Sequence, residues 1–316
     1  MKVAVLFPGQ GSQYLGMGRE FIETDSDCAA IMEQAEAVCD FPLRKLCFEG
    51  PMEELTRAVH LQPAITVTNL VCWQALRKAW GDTITVSCFA GHSLGEYSAL
   101  CAAGVLSIED TIRLVTRRGM LSDLEGQKHP GSMRAVVGLN IAEVEGIVAR
   151  CAEFGIVTVA NHNTEQQIVI SGEVAALDAA SVLATTAGAR VIPLAVSVAN
   201  HSPLVAGAVP PFADFMSQVA FQCPSTPVYF NVLAATEQDP AAIREIMARQ
   251  IVSRVRWVEL MQSMLAQGVD TFVEVGPKAV LKGMMRKIVP KGQEYQAFQV
   301  DTPESLAQCL QQLELH

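Results

Sequence analysis

The chain alternates short, continuous apolar runs with longer stretches in which apolar residues recur every three or four positions. Val3-Ala4-Val5-Leu6-Phe7 is a run of the first kind, ends at Pro8 and reads as a buried strand. Pro8-Gly9-Gln10-Gly11-Ser12-Gln13 follows as a glycine-rich loop. Helical segments fill about 14 to 80, with breaks expected near Pro42, Gly50-Pro51 and Pro63. Ile84 to Ala90 is a second β-rich apolar run, and two helices are expected over about 94–104 and 108–121.

Between Lys128-His129-Pro130-Gly131 and Pro193 the rhythm changes. Arg134 to Leu139 reads as a strand, Ile141 to Phe154 as a helix, and Ile156 to Ala160 and Gln167 to Ser171 as strands joined by a polar turn. Val174 to Ala187 reads as a helix and Ala189 to Val196 as a strand. This β-α-β-β-α-β order is ferredoxin-like. It predicts an insert over 129–196 in a main body made of 1–128 and 197–316. The main body resumes with a helical segment at about 202–219, a strand from Val228 to Asn231, and helices at about 240–250 and 257–267. Thr271 to Val275 reads as its last core strand, followed by Gly276-Pro277 and a helix. Strands alternating with helices predict an α/β fold with a largely parallel sheet covered on both faces.

The stretch that carries candidate chemistry is Gly91-His92-Ser93-Leu94-Gly95, between the second strand and a helix. It fits G-x-S-x-G, a sharp turn that lifts a serine hydroxyl above a sheet. The flanking glycines leave room that a Cβ would fill, and a helix N-terminus beside the serine favours a developing negative charge. The plainer reading is a loop serine between two elements.

A serine hydroxyl needs a base. The histidines are 60, 92, 129, 162, 201 and 316. His92 sits in the turn itself, His316 is the terminus and His60 lies in a polar stretch, which leaves 129, 162 and 201. His201, in Val198-Ala199-Asn200-His201-Ser202-Pro203, lies where the insert rejoins the main body, a place where clefts form. The alternative is that His201 only caps the next helix. No acidic residue stands out on a main-body strand end between 93 and 201, so a backbone carbonyl is a candidate to orient the imidazole.

On the helix from Ile108, at about 100° per residue, Ile112, Val115 and Gly119 share one face while Arg113 and Arg117 fall opposite. Arg118 falls within the apolar arc. A guanidinium there is either paired with a protein carboxylate, the plainer reading, or reserved for a ligand anion, because an unpaired buried charge costs several kcal/mol.

Composition narrows the setting. The chain has 316 residues, half of them hydrophobic, enough for a large core, and a net charge of −10 without a basic run. That argues against nucleic acid and anionic membrane as partners. Nine cysteines without a C-x-x-C pair read as buried thiols in a reducing compartment, and no run reaches the length of a membrane span. A cytoplasmic protein is expected.

Pro8 to Gln13, Gly91-His92-Ser93-Leu94-Gly95-Glu96-Tyr97, the arginine pair before Gly119, and Ser197 to Pro203 with His201 occur in this order. Gln250 before Val255-Arg256-Trp257, then Glu274-Val275-Gly276-Pro277, complete the series. From Val3 to about Val289 the chain resembles the malonyl-CoA:acyl carrier protein transacylases and the acyltransferase domains of fatty-acid and polyketide synthases. The resemblance implies an α/β-hydrolase-like large domain with a ferredoxin-like insert. It implies Ser93 as nucleophile, His201 as base, and the backbone N–H groups of Gln10 and Leu94 as oxyanion hole. Arg118 becomes the anchor of a malonyl carboxylate, the Gln250 carbonyl the group that orients His201, and His92 and Asn163 candidate acyl-pocket residues. The implied reaction is ping-pong malonyl transfer from malonyl-CoA to the phosphopantetheine thiol of an acyl carrier protein. No metal or redox cofactor is called for, and a monomer is expected. Acyl hydrolysis fits less well because such relatives tend to lack the arginine, and a non-catalytic docking role would not keep both serine and histidine. Arg134, His162, Arg254 and Val198-Ala199-Asn200-His201 depart from the family pattern, and Arg134 and His162 are expected on the cleft side of the insert. Leu94 is what malonyl-selective members tend to show.

Overall fold

The computed structural model describes residues 1–81, 83–196 and 198–314. Ser197 and His316 therefore lie outside the described residues. The strands are β1 (Val3–Phe7), β2 (Val86–Gly91), β3 (Ser132–Val137), β4 (Val157–Thr164) and β5 (Gln167–Gly172). They continue with β6 (Arg190–Pro193), β7 (Val228–Phe230), β8 (Ala235–Thr236), β9 (Thr271–Val275) and β10 (Gln296–Val300).

The larger sheet runs β10-β9-β1-β2-β7-β8. All its pairs are parallel except the edge pair β7–β8. β1 and β9 are buried along their whole length, as expected of parallel strands covered on both faces. One apolar cluster fills one face against the 58–80 and 108–128 helices, and a second fills the other against the 257–266 and 280–288 helices. Thr271–Val275 is therefore not the last core strand, because β10 pairs outside it and the 303–314 helix follows.

Pro63 does not break its helix, which runs unbroken from Ala58 to Trp80. The proline sits near the N-terminal end, where it forfeits a single backbone bond, and the helix is buried on nearly all sides. The helix predicted over 108–121 continues to Lys128. Ser107 caps its start by accepting the Asp110 N–H at 3.0 Å. A Cβ on Gly119 would lie 2.5 Å from the Ala58 carbonyl, so this glycine sets how closely the two long helices approach.

The smaller sheet, β4-β5-β3-β6, is antiparallel throughout. One face packs on the 141–150 and 174–186 helices, while Met133, Ala135, Ala160 and Val169 cluster on the other. The sheet is tied to the rest of the chain through β4: the Val255 N–H donates to Ala160 O at 2.8 Å, and the His162 N–H to Val255 O at 2.9 Å. Arg254, one of the departures from the family pattern, adds an ion pair to Glu145 at 2.7 Å.

Candidate active site

β1 and β2 lie side by side in register, with Phe7 opposite Gly91, so the loops leaving their carboxyl ends are neighbours. Open α/β sheets form their binding crevices at such strand ends. The first loop carries Gln10 and the second carries Ser93. Their closeness depends on small residues: a Cβ on Gly9 would stand 2.4 Å from the His92 carbonyl, and one on Gly95 2.1 Å from the Phe7 carbonyl. A Cβ on Gly91 would meet the Gly95 backbone at 1.9 Å. Both outer glycines of the turn are thus required by close approach.

Ser93 itself has φ 50°, in the left-handed region that a side chain disfavours. Its own peptide groups hold it there. Its N–H donates to Asn231 Oδ1 at 2.7 Å, and its carbonyl accepts from Gln250 Nε2 at 2.7 Å. His201 is the other strained residue of the site, with φ 60°. Its N–H donates to the Ile251 carbonyl at 2.7 Å. It does not cap the following helical turn; Ser202 does, accepting from the Leu204 N–H.

These two backbones bring Ser93 Oγ to 2.7 Å from His201 Nε2. On the far side of the ring, Nδ1 lies 2.8 Å from the Ser253 carbonyl and 3.2 Å from that of Gln250. Carbonyls only accept, so Nδ1 carries the proton and Nε2 presents its lone pair to the hydroxyl. The Ser253 carbonyl is the closer partner, and it escaped the sequence reading, which had only the Gln250 carbonyl. Burial, reinforced by the Arg118 cation, pushes the His201 imidazole down to about 3 against the raising effect of the two carbonyls. The ring is therefore neutral near pH 7, the form that accepts a proton.

A cavity of about 240 Å³ opens on this pair. Gln10, His92, Ser93, Asn163 and His201 all face it, together with Met133 from β3 and Met284 from the 280–288 helix. His92 Nε2 lies 2.8 Å from Asn163 Oδ1, and its ring packs edge-on against Trp257. A larger, adjoining cavity of about 800 Å³ shares Gln10, Leu194, Val196 and Asn200 with the first and extends to Met52, Arg57 and Leu61. Glu274 fixes the helix that carries Met284: its two oxygens accept the N–H groups of Val280, Leu281 and Lys282 at 2.8–3.0 Å. That gives the Glu274-Val275-Gly276-Pro277 motif a physical role.

Arg118 lies behind the cavity wall rather than on it and is 1% exposed. Its fork donates to two neutral oxygens, Gln62 Oε1 at 2.9 Å and Gln250 Oε1 at 3.1 Å. Among the described residues no carboxylate forms an ion pair with it, and its Nε has no partner. Tyr97 lies beneath the guanidinium, 5.8 Å from ring centre to carbon. Among the described residues, the structural ion pair that the helical pattern left open is not formed.

Two expectations fail. Arg134 turns away from the cleft and binds the 174–186 helix through the Leu177 carbonyl, Ser181 and Asp178. His162 also turns away and places its Nδ1 3.3 Å from Glu259 Oε2. Strand alternation explains both: Met133 and Ala135, and Asn161 and Asn163, face the cavity, so the residues between them point outward. The sequence reading also missed Gln62, Glu96 and Asn231. Glu96 stood inside the Ser93 motif and Asn231 at the end of a core strand, but nothing local marked Gln62, which lies 56 positions from its partner Arg118.

The chain is similar to known proteins along nearly its whole length. The acyl transferase domain family matches residues 5–300. The malonyl CoA-acyl carrier protein transacylase of Bacillus subtilis (strain 168) is 37% identical over 99% of this chain and 97% of its own length. An acyl carrier protein S-malonyltransferase from Vibrio cholerae superposes with a TM-score of 0.92 at 35% identity, covering 98% of this chain and 100% of that one. A malonyl-transacylase solved in complex with its type II PKS acyl-carrier protein gives 0.94 at 35% identity, over 99% and 100% of the two chains. With the match running from the first strand to the last, and relatives above 30% identical along nearly the whole length, this chain belongs to the acyl transferase domain family.

Proposed function

We propose that this chain transfers the malonyl group of malonyl-CoA to the phosphopantetheine thiol of an acyl carrier protein, through a malonyl ester on Ser93, for fatty-acid or polyketide synthesis. The observation that carries the reading is the 2.7 Å contact of Ser93 Oγ with the lone-pair nitrogen of His201, in a cavity backed by a buried arginine with no ion-pair partner among the described residues.

Ser93 Oγ attacks the thioester carbonyl while His201 Nε2 takes its proton. The oxyanion is received by the backbone N–H groups of Gln10 and Leu94, on the two loops that Gly9 and Gly95 allow to touch. Loss of one such donor typically costs about 3–4 kcal/mol. The CoA thiolate leaves with the proton from His201, and the ester stays on Ser93. The carrier thiol then gives its proton to His201 and attacks the ester; collapse of the second tetrahedral intermediate returns the proton to Ser93. The adjoining 800 Å³ cavity suits the approach of both thiol arms.

Arg118 would select the acyl group. A malonyl carboxylate replaces one or both amide oxygens on the guanidinium, forming the bidentate pair the fork favours. It also cancels the positive field that depresses His201, so the imidazole becomes a stronger base when the correct acyl group is bound. Transfer between thioesters is nearly balanced whereas hydrolysis is downhill, so holding the acyl group away from water favours transfer.

The test is radiolabelled malonyl-CoA followed by a denaturing gel. Label should remain on the protein, leave when a carrier thiol is added, and be absent from Ser93→Ala. Absence of label on the natural chain, or label that survives Ser93→Ala, rejects the proposal.

A further inference from the structure

Glu96 follows the Ser93 turn and is fully buried on the sheet side of it. It touches no part of the cavity, and no step of the reaction above uses it. Its two oxygens nevertheless end on the two residues that grip Ser93. Oε1 accepts the backbone N–H of Asn231 at 2.7 Å, and Oε2 accepts from Gln250 Nε2 at 2.5 Å. Asn231 in turn accepts the Ser93 N–H and donates to the Gly91 carbonyl, both at 2.7 Å. Gln250 donates to the Ser93 carbonyl at 2.7 Å and accepts from Arg118 at 3.1 Å.

The chemistry of these neighbours leaves one arrangement. The Gln250 amide stands among two acceptors, Glu96 and the Ser93 carbonyl, and one group that only donates, Arg118. Its nitrogen must face the first two and its oxygen the third. Burial pushes the Glu96 carboxyl up to about 7, against the lowering effect of the Gln250 and Asn231 hydrogen bonds and the Arg118 cation. Above that pH it is a carboxylate, which offers no proton on either oxygen and enforces that choice. It also holds the strand end that carries Asn231. A residue kept at positive φ, as Ser93 is at 50°, needs such over-determination to persist.

We infer that Glu96 is a positioning residue for acyl transfer: through Asn231 and Gln250 it locks the strained Ser93 turn and aims the Gln250 amide oxygen at Arg118. The inference rests on the malonyl-transfer reading, and it assigns a role in donor selection to a side chain that never meets the donor.

Glu96→Gln tests it with least change of shape. A glutamine keeps one acceptor oxygen and puts an NH₂ where the other was, so the Asn231 N–H and the Gln250 nitrogen cannot both be accepted. If Asn231 keeps its acceptor, Gln250 turns its nitrogen toward Arg118 and the guanidinium loses a partner. The Ser93 carbonyl then loses its donor and an NH₂ faces the fork where the malonyl carboxylate must bind, so Ser93 acylation by malonyl-CoA should slow about ten-fold or more. The ratio of malonyl to acetyl transfer should fall as well, because only the malonyl donor uses Arg118. Acylation rates for both donors are measured on the natural chain, Glu96→Gln and Glu96→Asp, with melting temperature recorded for each. Glu96→Asp keeps the charge and both oxygens but is one methylene short, and should lie between the other two; it also serves if Glu96→Gln does not fold. A donor ratio unchanged in every folded variant, or rates that fall only with the loss of folded protein, overturns the inference. A natural chain that takes no malonyl label overturns the underlying reading instead, so the two failures are told apart.

Discussion

Replacing Arg118 with methionine, close in length and uncharged, separates the binding of an acyl carboxylate from the upkeep of the fold. In the folded chain the guanidinium is 1% exposed and, among the described residues, hydrogen-bonded to the Gln62 and Gln250 oxygens. Burial is the main influence on it and depresses its pKa, which means the surroundings do not fully repay its desolvation. Removing the charge relieves a penalty of several kcal/mol. It also leaves two buried amide oxygens unpaired, at about 1–3 kcal/mol each. These effects are opposite and similar in size, so stability should change by no more than about 2 kcal/mol, a shift in melting temperature below roughly 6 °C. Catalysis should respond differently. Losing one partner of a buried, hydrogen-bonded charge pair costs about 2–5 kcal/mol, so kcat/KM for malonyl-CoA should drop roughly 30- to 5,000-fold. Acetyl-CoA carries no carboxylate and should lose only a few-fold, which makes it the preferred donor. The assay is initial-rate transfer from each donor to one carrier protein, with thermal melts on the same preparations. Equal losses for both donors, or a melting temperature lowered by 10 °C or more, would show that Arg118 is a strut and not a carboxylate site.

Four further outcomes follow from the same geometry. His201 is held down to about 3, below its unfolded value near 6.5, so it adds stability that is present above pH 6.5 and is lost as the pH falls toward 3. The denaturant midpoint of the natural chain should therefore fall more steeply than that of His201→Gln between pH 6.5 and 4, and parallel curves would contradict the assigned burial of the ring. Because Arg118 contributes to that depression, the acid limb of acetyl transfer should move to higher pH in Arg118→Met, as read from kcat/KM against pH; an unmoved limb would mean the two groups do not interact. Gly95→Ala should destabilise the chain by about 1–3 kcal/mol or more and abolish Ser93 labelling, since its Cβ would stand 2.1 Å from the Phe7 carbonyl, whereas Arg134→Ala should leave the malonyl-to-acetyl ratio unchanged in the same assay.

What the sequence determined by itself is local. The turn at Ser93 was legible because short-range sterics dictate much of it: a Cβ at 91 collides with the Gly95 backbone only a few residues away. Continuous apolar runs marked β1, β2 and β9 because parallel strands are buried on both faces, and the change of rhythm after Lys128 marked the four strands of the smaller sheet. The family motifs placed His201 and Arg118 by resemblance. Pro63 was misjudged because a local rule against proline in helices takes no account of burial.

The tertiary structure decided everything that depends on atoms distant in the chain. It set which carbonyl stands nearest His201, that among the described residues Arg118 meets two amide oxygens and no acid, and that Arg134 and His162 face away from the cavity. It also joined Glu96, Asn231 and Gln250 around Ser93, with 138 and 157 positions separating Ser93 from the two amide residues. The physical reason is range. Backbone clashes and hydrophobic periodicity act over a few residues and leave their trace in the order of the letters. Hydrogen bonds and buried charges act over about 3 Å of space, and only packing of the two sheets determines which groups come that close.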